Sequence, residues 1–395
     1  MMSFMARTSI YLLGVFIMRC GWFATMPFMT IYIHTNATTN PVLIGSIIGG
    51  GWLAACVSGF VGGIYIDRYN PRKIMLLMLT VSGMSFFLYY LISPKLLFLI
   101  LILNMCIGSA SACFEIASKT YIATSFSDQQ RVHAYNLRYT ALNIGAIAGP
   151  YIGVWFTLHY PQLLFIFTAS AYALVFLLFK RFLLYHKLVN ASQVLGLQQI
   201  INKIIHDPVL LLLTCLSFLN YWAISQIDTM LPQVLSTRVP HYALVFATII
   251  SINAVTVVIL QVPFGFVVHK FNTLKLAYLS SLLYASSFVV FAFAYTESTL
   301  IMAILIFTLG EVIYATVLNL VVDRISTDNM RGVYFGVVSM GMSGLVIGPI
   351  SGGGILKMAG GTVLYLFTAL LLLGGMICYT KLKPSLLRRT NSTVL

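Results

Sequence analysis

Long apolar runs, parted by short polar or Pro/Gly-bearing breaks, follow one another along the whole chain. A helix that crosses a membrane needs about 20 predominantly apolar residues, and it must satisfy its own backbone hydrogen bonds inside hydrocarbon. The runs reach that length at residues 9–33, 42–66, 74–92, 96–123, 133–158, 161–184, 208–235, 242–268, 274–295, 299–323, 332–356 and 361–381. The pattern predicts an all-α polytopic membrane protein of twelve spans, with both termini on one side. The first run passes through Arg19 to Ile33 without a small-residue cleavage site, so it is expected to stay as the first span. The longest connector, about 185–207, carries Val194, Leu197, Ile200, Ile201, Ile204 and Ile205 at helical spacing. It reads as an amphipathic helix on the cytoplasmic membrane face or, equally, as a plain linker helix.

Composition removes the alternatives. Of 395 residues, 59% are hydrophobic and 8% charged, with a mean hydropathy of +0.94. A soluble domain carries about a quarter charged residues, so soluble and nucleic-acid-binding classes fall away. The excess of 23 Lys and Arg over 9 Asp and Glu has a topological explanation instead. With the N-terminus in the cytoplasm, seventeen of the 23 fall in cytoplasmic segments and only Lys95, Arg238 and Lys357 outside. That is the positive-inside bias of an inner, or plasma, membrane protein with both termini cytoplasmic. The six cysteines sit in apolar stretches without ligand or disulfide spacing, and the seven histidines fall mainly in loops. No metal site or cofactor is expected. The sequence has no P-loop string, no H-E-x-x-H and no G-x-S-x-G, which argues against ATP drive and against an enzyme.

An internal repeat organises the spans. Asp67-Arg68-Tyr69-Asn70-Pro71-Arg72-Lys73 after span 2 has a counterpart in residues 269–275 after span 8, 202 positions on. Asp128 and Arg131 after span 4 return as Asp328 and Arg331, shifted by 200. Gly145-x3-Gly149-Pro150-x2-Gly153 in span 5 returns as Gly344-x3-Gly348-Pro349-x2-Gly352 in span 11, shifted by 199. Each match joins span n to span n+6. The chain therefore divides into a six-helix half (1–184), a linker (185–207) and a second six-helix half (208–395), an arrangement suited to alternating access.

These strings resemble the major facilitator superfamily. Residues Gly63 to Lys73 look like its loop 2–3 signature, G-x-[LI]-x-D-R-x-G-x-[RK]-[RK]. Asn70 stands where glycine is usual, and asparagine tolerates the left-handed backbone such a turn would need. The resemblance implies a cytoplasmic gating latch built from Asp67, Arg68, Arg72, Lys73, Asp128 and Arg131, whose charge-assisted hydrogen bonds form and break between states. The plainer alternative is a positive-inside loop with a capping aspartate. Gly145, Gly149, Pro150 and Gly153 are similar to the span-5 motif of the antiporter branch, with Val154 in place of its last glycine. Gly310-Glu311-Val312-Ile313-Tyr314 and Gln226…Leu231-Pro232 resemble the proton-driven multidrug exporters. One departure is Asn104, where the superfamily often has arginine.

Ionisable groups inside spans are costly and usually functional. Four stand well inside: Arg19, Glu115, Asp228 and Glu311. A proton carrier needs carboxyls that can be neutral in the bilayer and ionise when wetted. Glu311, with no basic residue within four positions on its helix, suits this best, then Asp228. Glu115 is a weaker candidate, because Lys119 lies one turn on and can neutralise it. Aligning Pro27 with Pro232 sets Asp228 opposite Phe23, one turn from Arg19, so Arg19 is expected to be the electrostatic partner of the acids. Trp22, Phe23, Asn143, Tyr221, Trp222, Gln226, Asn253 and Tyr314 are candidate substrate-cavity residues, offering aromatic faces and amides. Lipid contact or interface anchoring is the bland alternative for each.

The resemblance implies a proton-coupled antiporter that exports amphipathic or lipophilic small molecules of the multidrug type, acting in the bilayer as a monomer. Its partners would be protons, lipid and substrate, with no nucleic acid. Rival expectations are dedicated export of an endogenous metabolite such as a siderophore, uptake by symport, and a non-transporting scaffold. On the latch expectation, Asp67→Asn leaves membrane insertion intact but slows turnover in vesicles; normal transport by this variant would remove the latch.

Overall fold

Every element in the computed structural model is helical among the residues it describes: 4–66, 70–125, 128–183, 207–268, 271–325, 334 and 337–390. The helices are α1 (Phe4–Asn36), α2 (Pro41–Ile66), α3 (Pro71–Leu91), α4 (Leu97–Ser125), α5 (Asp128–His159) and α6 (Leu163–Phe182). They continue with α7 (Pro208–Arg238), α8 (Tyr242–Val267), α9 (Thr273–Phe293), α10 (Glu297–Ile325) and α11 (Gly344–Thr390), a 3₁₀ turn (Met340–Ser343) preceding the last. Among the described residues, eleven helices are long and apolar enough to cross a membrane. The last candidate span, Val337–Ile377, has 41 residues, and within it Gly360 leaves helical geometry at φ 81° and ψ 173°. Large apolar side chains lie outward along the helices, Phe98, Met358 and Leu370 among them. In water this would be untenable; against lipid it is the expected surface.

The breaks between helices are built from caps. Asn70 closes the N-terminus of α3 by accepting from the Lys73 N–H at 3.4 Å, and Asn272 does the same for α9 with Lys275 at 3.0 Å. Both caps are extended, with φ −62° and −66°. Asn70 is therefore an N-cap and not the left-handed turn residue expected from its place in the motif: the side chain is needed to satisfy an orphan N–H. Asp207 caps α7, accepting from Val209 and Leu210 N–H, while its other oxygen accepts from the Tyr334 hydroxyl at 2.7 Å. Arg72 reaches the C-terminal end of α6, where Phe179 O and Lys180 O accept its N–H groups. A cation is favoured there by the unpaired carbonyls of the helix end. Asp67, Arg68 and residues 185–206, with the expected linker helix, lie outside the described residues; Asp128 and Arg131 fall in the first turn of α5.

The chain forms two compact units, residues 1–192 with 241–251, and 193–240 with 252–395. In the first, α1 packs on α5 and α6, α2 on α4, and α3 on α4 and α6. In the second, α7 packs on α11, and α9 on α10 and α11. The glycine stripes of α5 and α11 make close contacts of this kind. A Cβ on Gly153 would lie 2.2 Å from Ala24 O of α1, and one on Gly344 would lie 2.4 Å from Phe218 O of α7. The two stripes use matching atoms. Gly145 faces Phe16 O and the Cys20 N as Gly344 faces Phe218 O and the Trp222 N; Gly149 faces Cys20 O as Gly348 faces Trp222 O. Both pairs are 202 residues apart along α1 and α7. That register differs from the one given by aligning Pro27 with Pro232, and it makes Tyr221 the counterpart of Arg19.

The packing yields a paired expectation. Gly153→Ala should lower thermal stability in detergent, because the methyl meets backbone that cannot retreat, a cost of about 1–3 kcal/mol or more. Gly265→Ala meets nothing within 4 Å and should be neutral or slightly stabilising by the same melt.

Candidate functional site

In the second unit, α7 does not run as a regular helix. After Ser225 it passes through a π turn, Gln226–Met230, in which the Leu231 N–H donates to Gln226 O, and it resumes as α-helix at Leu231. The local cause is Pro232. It has no N–H to give to Asp228 O four residues earlier, and its ring crowds that carbonyl. Such turns occur frequently at functional sites. Asp228 is carried inside this one.

Glu311 comes from α10, next to Gly310. There a Cβ would approach Ser280 O of α9 at 3.1 Å, and the Ser280 hydroxyl donates to Gly310 O at 2.9 Å. The α9–α10 contact thus fixes the backbone that presents Glu311. From α8, the Asn253 amide donates to Glu311 Oε2 at 2.8 Å and to Thr308 Oγ1 at 2.9 Å. The Thr308 hydroxyl donates to Ile304 O at 2.7 Å, which leaves its oxygen free to accept. Asp228 and Tyr221 on α7 both lie within the electrostatic reach of Glu311. Among the described residues neither carboxylate has an ion pair, and Asp228 has no hydrogen bond. Four expected residues, Tyr221, Asp228, Asn253 and Glu311, are therefore brought to one place. Thr308 was missed; its only trace in the sequence is a hydroxyl one turn before Glu311 in an apolar helix.

Other expected cavity residues are used differently. Gln226 is fully buried, and its amide donates to Trp222 O at 2.9 Å and to Gly348 O at 3.2 Å. The Trp222 ring N–H donates to Ser351 Oγ at 2.8 Å. Both side chains are turned to α11 and hold the α7–α11 contact. Tyr314 is buried, with its ring on edge to Tyr284 at 6.3 Å.

The first unit holds Arg19, Lys119 and Arg138. Arg19 lies over the rings of Phe23 (4.6 Å) and Trp22 (5.1 Å), which are themselves edge to face at 5.0 Å. The Arg19 Nε is buried without a hydrogen-bond partner. Arg19 and Asp228 fall in different units. Glu115 is paired to Lys119 at 3.2 Å, as its spacing suggested, and also to Arg138 of α5. Arg138 is buried; its Nε donates to Ser118 Oγ at 3.1 Å, and the Tyr11 hydroxyl shares that oxygen at 2.6 Å. The Arg138 pairing was legible only in outline: a guanidinium in an apolar span needs an acid, and Glu115 stands nearest among the spans of this half. Asn143 donates to Tyr139 O of its own helix at 2.9 Å. Asn104 donates to Ile47 O at 2.7 Å and clamps α4 to α2.

Long apolar helices enclosing paired and unpaired charges define a multi-pass membrane transporter. Residues 11–345 match the family model of the Major Facilitator Superfamily, and the chain belongs to that superfamily, whose members are transporters and not enzymes. It is 26% identical over 383 residues to the uncharacterized MFS-type transporter YdeE of Escherichia coli (strain K12), covering 96% of each chain. It is 23% identical over 379 residues to a Na(+), Li(+), K(+)/H(+) antiporter of Planococcus maritimus, covering 86% of this chain and 87% of that one. The crystal structure of the nucleoside transporter NupG matches with a TM-score of 0.80 at 14% identity, over 95% of this chain and 99% of that one, a likeness of fold alone.

The ionic network of the first unit makes a graded prediction. Arg138→Met removes a buried charge and leaves Glu115 to Lys119 and Ser118 to Tyr11, and should cost about 2 kcal/mol in a detergent melt, since Glu115 is partly exposed. Lys119→Met breaks a wetter pair and should cost under about 1 kcal/mol.

Proposed function

We propose that this transporter is a proton-coupled exporter of amphipathic or lipophilic small molecules, working by alternating access in the plasma membrane. The observation that carries the reading is the pair of carboxyls, Asp228 and Glu311, in one polar site and without an ion pair among the described residues. A carboxyl so placed can take a proton in an apolar setting and give it up when the site is wetted. Glu311 is the main coupling group and Asp228 the second. Glu115, already engaged by two cations, has the smaller share. Trp22, Phe23, Tyr221, Asn253 and Tyr314 are the residues proposed to meet substrate.

The topology belongs to the same proposal. A helix of 41 residues rises about 60 Å at 1.5 Å per residue, twice a bilayer core. Gly360, the glycine with positive φ inside it, supplies the break between two spans, making twelve in two six-helix halves. Both termini are then cytoplasmic, as the charge bias requires. The antiporter-type stripe in α5 supports outward transport.

A second reading, monovalent cation–proton antiport, is favoured by the antiporter relative and by a site rich in oxygen ligands. In energised everted vesicles, an exporter should accumulate substrate and dissipate the pH gradient as it does so. A sodium- or potassium-evoked dissipation would favour the second reading, and accumulation only in right-side-out vesicles would favour symport. Glu311→Gln should lose uphill accumulation, worth roughly tenfold per pH unit for one proton, and keep downhill transport. Asp228→Asn should impair both. Full pH-dependent accumulation by Glu311→Gln would remove Glu311 from coupling.

A further inference from the structure

We propose that the substrate is an organic anion, a carboxylate or sulfonate on an aromatic or lipophilic body, and that Arg19 is the group that holds its charge. The inference rests on the transporter reading and names the substrate class of that protein. Arg19 has five N–H donors, yet among the described residues it makes no hydrogen bond and no ion pair. Its contacts are with ring faces, those of Phe23 and Trp22. Those rings attract the charge of the guanidinium but supply no acceptor for its N–H edge. That edge is a planar fork matched to the two oxygens of a carboxylate or sulfonate.

The charges around Arg19 leave it in surplus. Arg19 feels Glu115 of α4, Arg138 of α5 and the Tyr172 hydroxyl of α6. Glu115 is the carboxylate among the described side chains of these spans, and it is already held by Lys119 and Arg138. Three cations therefore surround one acid. A guanidinium left over in hydrocarbon is costly unless something answers it, and a ligand that does so gains a charge-assisted, partly dry contact. A Cβ built on Gly145 of α5 would lie 3.0 Å from the Arg19 Cβ, so α5 packs closely on the stem of the side chain. Trp22 and Phe23 then offer area to an apolar body beside the charge. Export of a monoanion against one proton moves two charge equivalents in the same sense, so an inside-negative potential would drive it harder than export of a neutral compound.

The test is equilibrium binding to the full-length purified protein in nanodiscs, without any gradient, so that it is independent of proton coupling. The probes are 1-naphthoate, 1-naphthalenesulfonate and the cation 1-naphthylmethylammonium. Saturable, salt-sensitive binding of at least one of the two anions, and none of the cation, is expected. Arg19→Gln should weaken anion binding by about tenfold or more, Arg19→Lys by about threefold, and Lys357→Gln not at all. If Arg19→Gln is not monodisperse, Arg19→Lys carries the comparison. Cation binding as tight as anion binding, absence of saturable binding by both anions, or affinity unchanged in the Arg19 variants overturns the proposal. So does anion affinity that follows Asp228→Asn as strongly as Arg19→Gln. Anion binding as expected in a protein that shows no proton coupling in vesicles would overturn the coupling reading alone.

Discussion

A charge carried into hydrocarbon must be answered by the protein, by water or by what the protein binds, because an unanswered one costs several kcal/mol or more. Of the residues that bring charge into the spans, Glu115, Arg19, Glu311 and Asp228 are each answered differently by the fold. Glu115 is answered fully, by Lys119 on its own helix and Arg138 on the next. Arg19 is answered by ring faces, which stabilise a cation without satisfying its donors. Glu311 is answered by a neutral amide, and Asp228 by no hydrogen bond or ion pair among the described residues. The fully paired group is suited to a structural role, and the incompletely answered ones to exchange partners.

The scaffold that allows this is a matter of close approach. Hydrophobic area cannot drive helices together in lipid, so contact depends on small residues that let backbones meet. The stripe in α5 lies against α1 over Phe16, Cys20 and Ala24, and the stripe in α11 lies against α7 over Phe218 and Trp222. These contacts set the helices that carry Arg19 and Tyr221 at matching positions in the two units. The match is geometric only. One helix continues regularly past its stripe, while the other departs into a π turn at Gln226. The departure coincides with Pro232 and presents Asp228, so the repeat is broken where α7 carries its acid.

The polar groups of α7 show how one helix serves both ends. Trp222 and Gln226, large and polar, are turned to α11 and used as glue. Tyr221 and Asp228, on other faces, are left to the site shared with Glu311. Asn253 has the complementary task on α8. It ties α8 to α10 through Thr308 and Glu311 together, so the hydrogen bond that holds two helices also touches the ionisable group. A change of protonation at Glu311 is then a change at a helix contact.

The sequence by itself determined the helical class, the approximate spans, the basic bias of one side and the glycine stripes, because each depends on local hydrophobicity, charge or side-chain size along the chain. It also determined that Glu115 would meet Lys119, since four residues is one helical turn. It misassigned Asn70, whose backbone choice depends on which N–H needs a cap, and it placed Trp222 and Gln226 in the cavity, because residue type does not reveal which face of α7 meets α11. The link between Arg138 and Glu115, the Asn253–Thr308–Glu311 hydrogen bonds and the register of α7 on α11 were decided only by tertiary structure. Each joins residues more than 20 positions apart through the rotation of packed helices, and a one-residue change such as the π turn rotates every later side chain to a new partner.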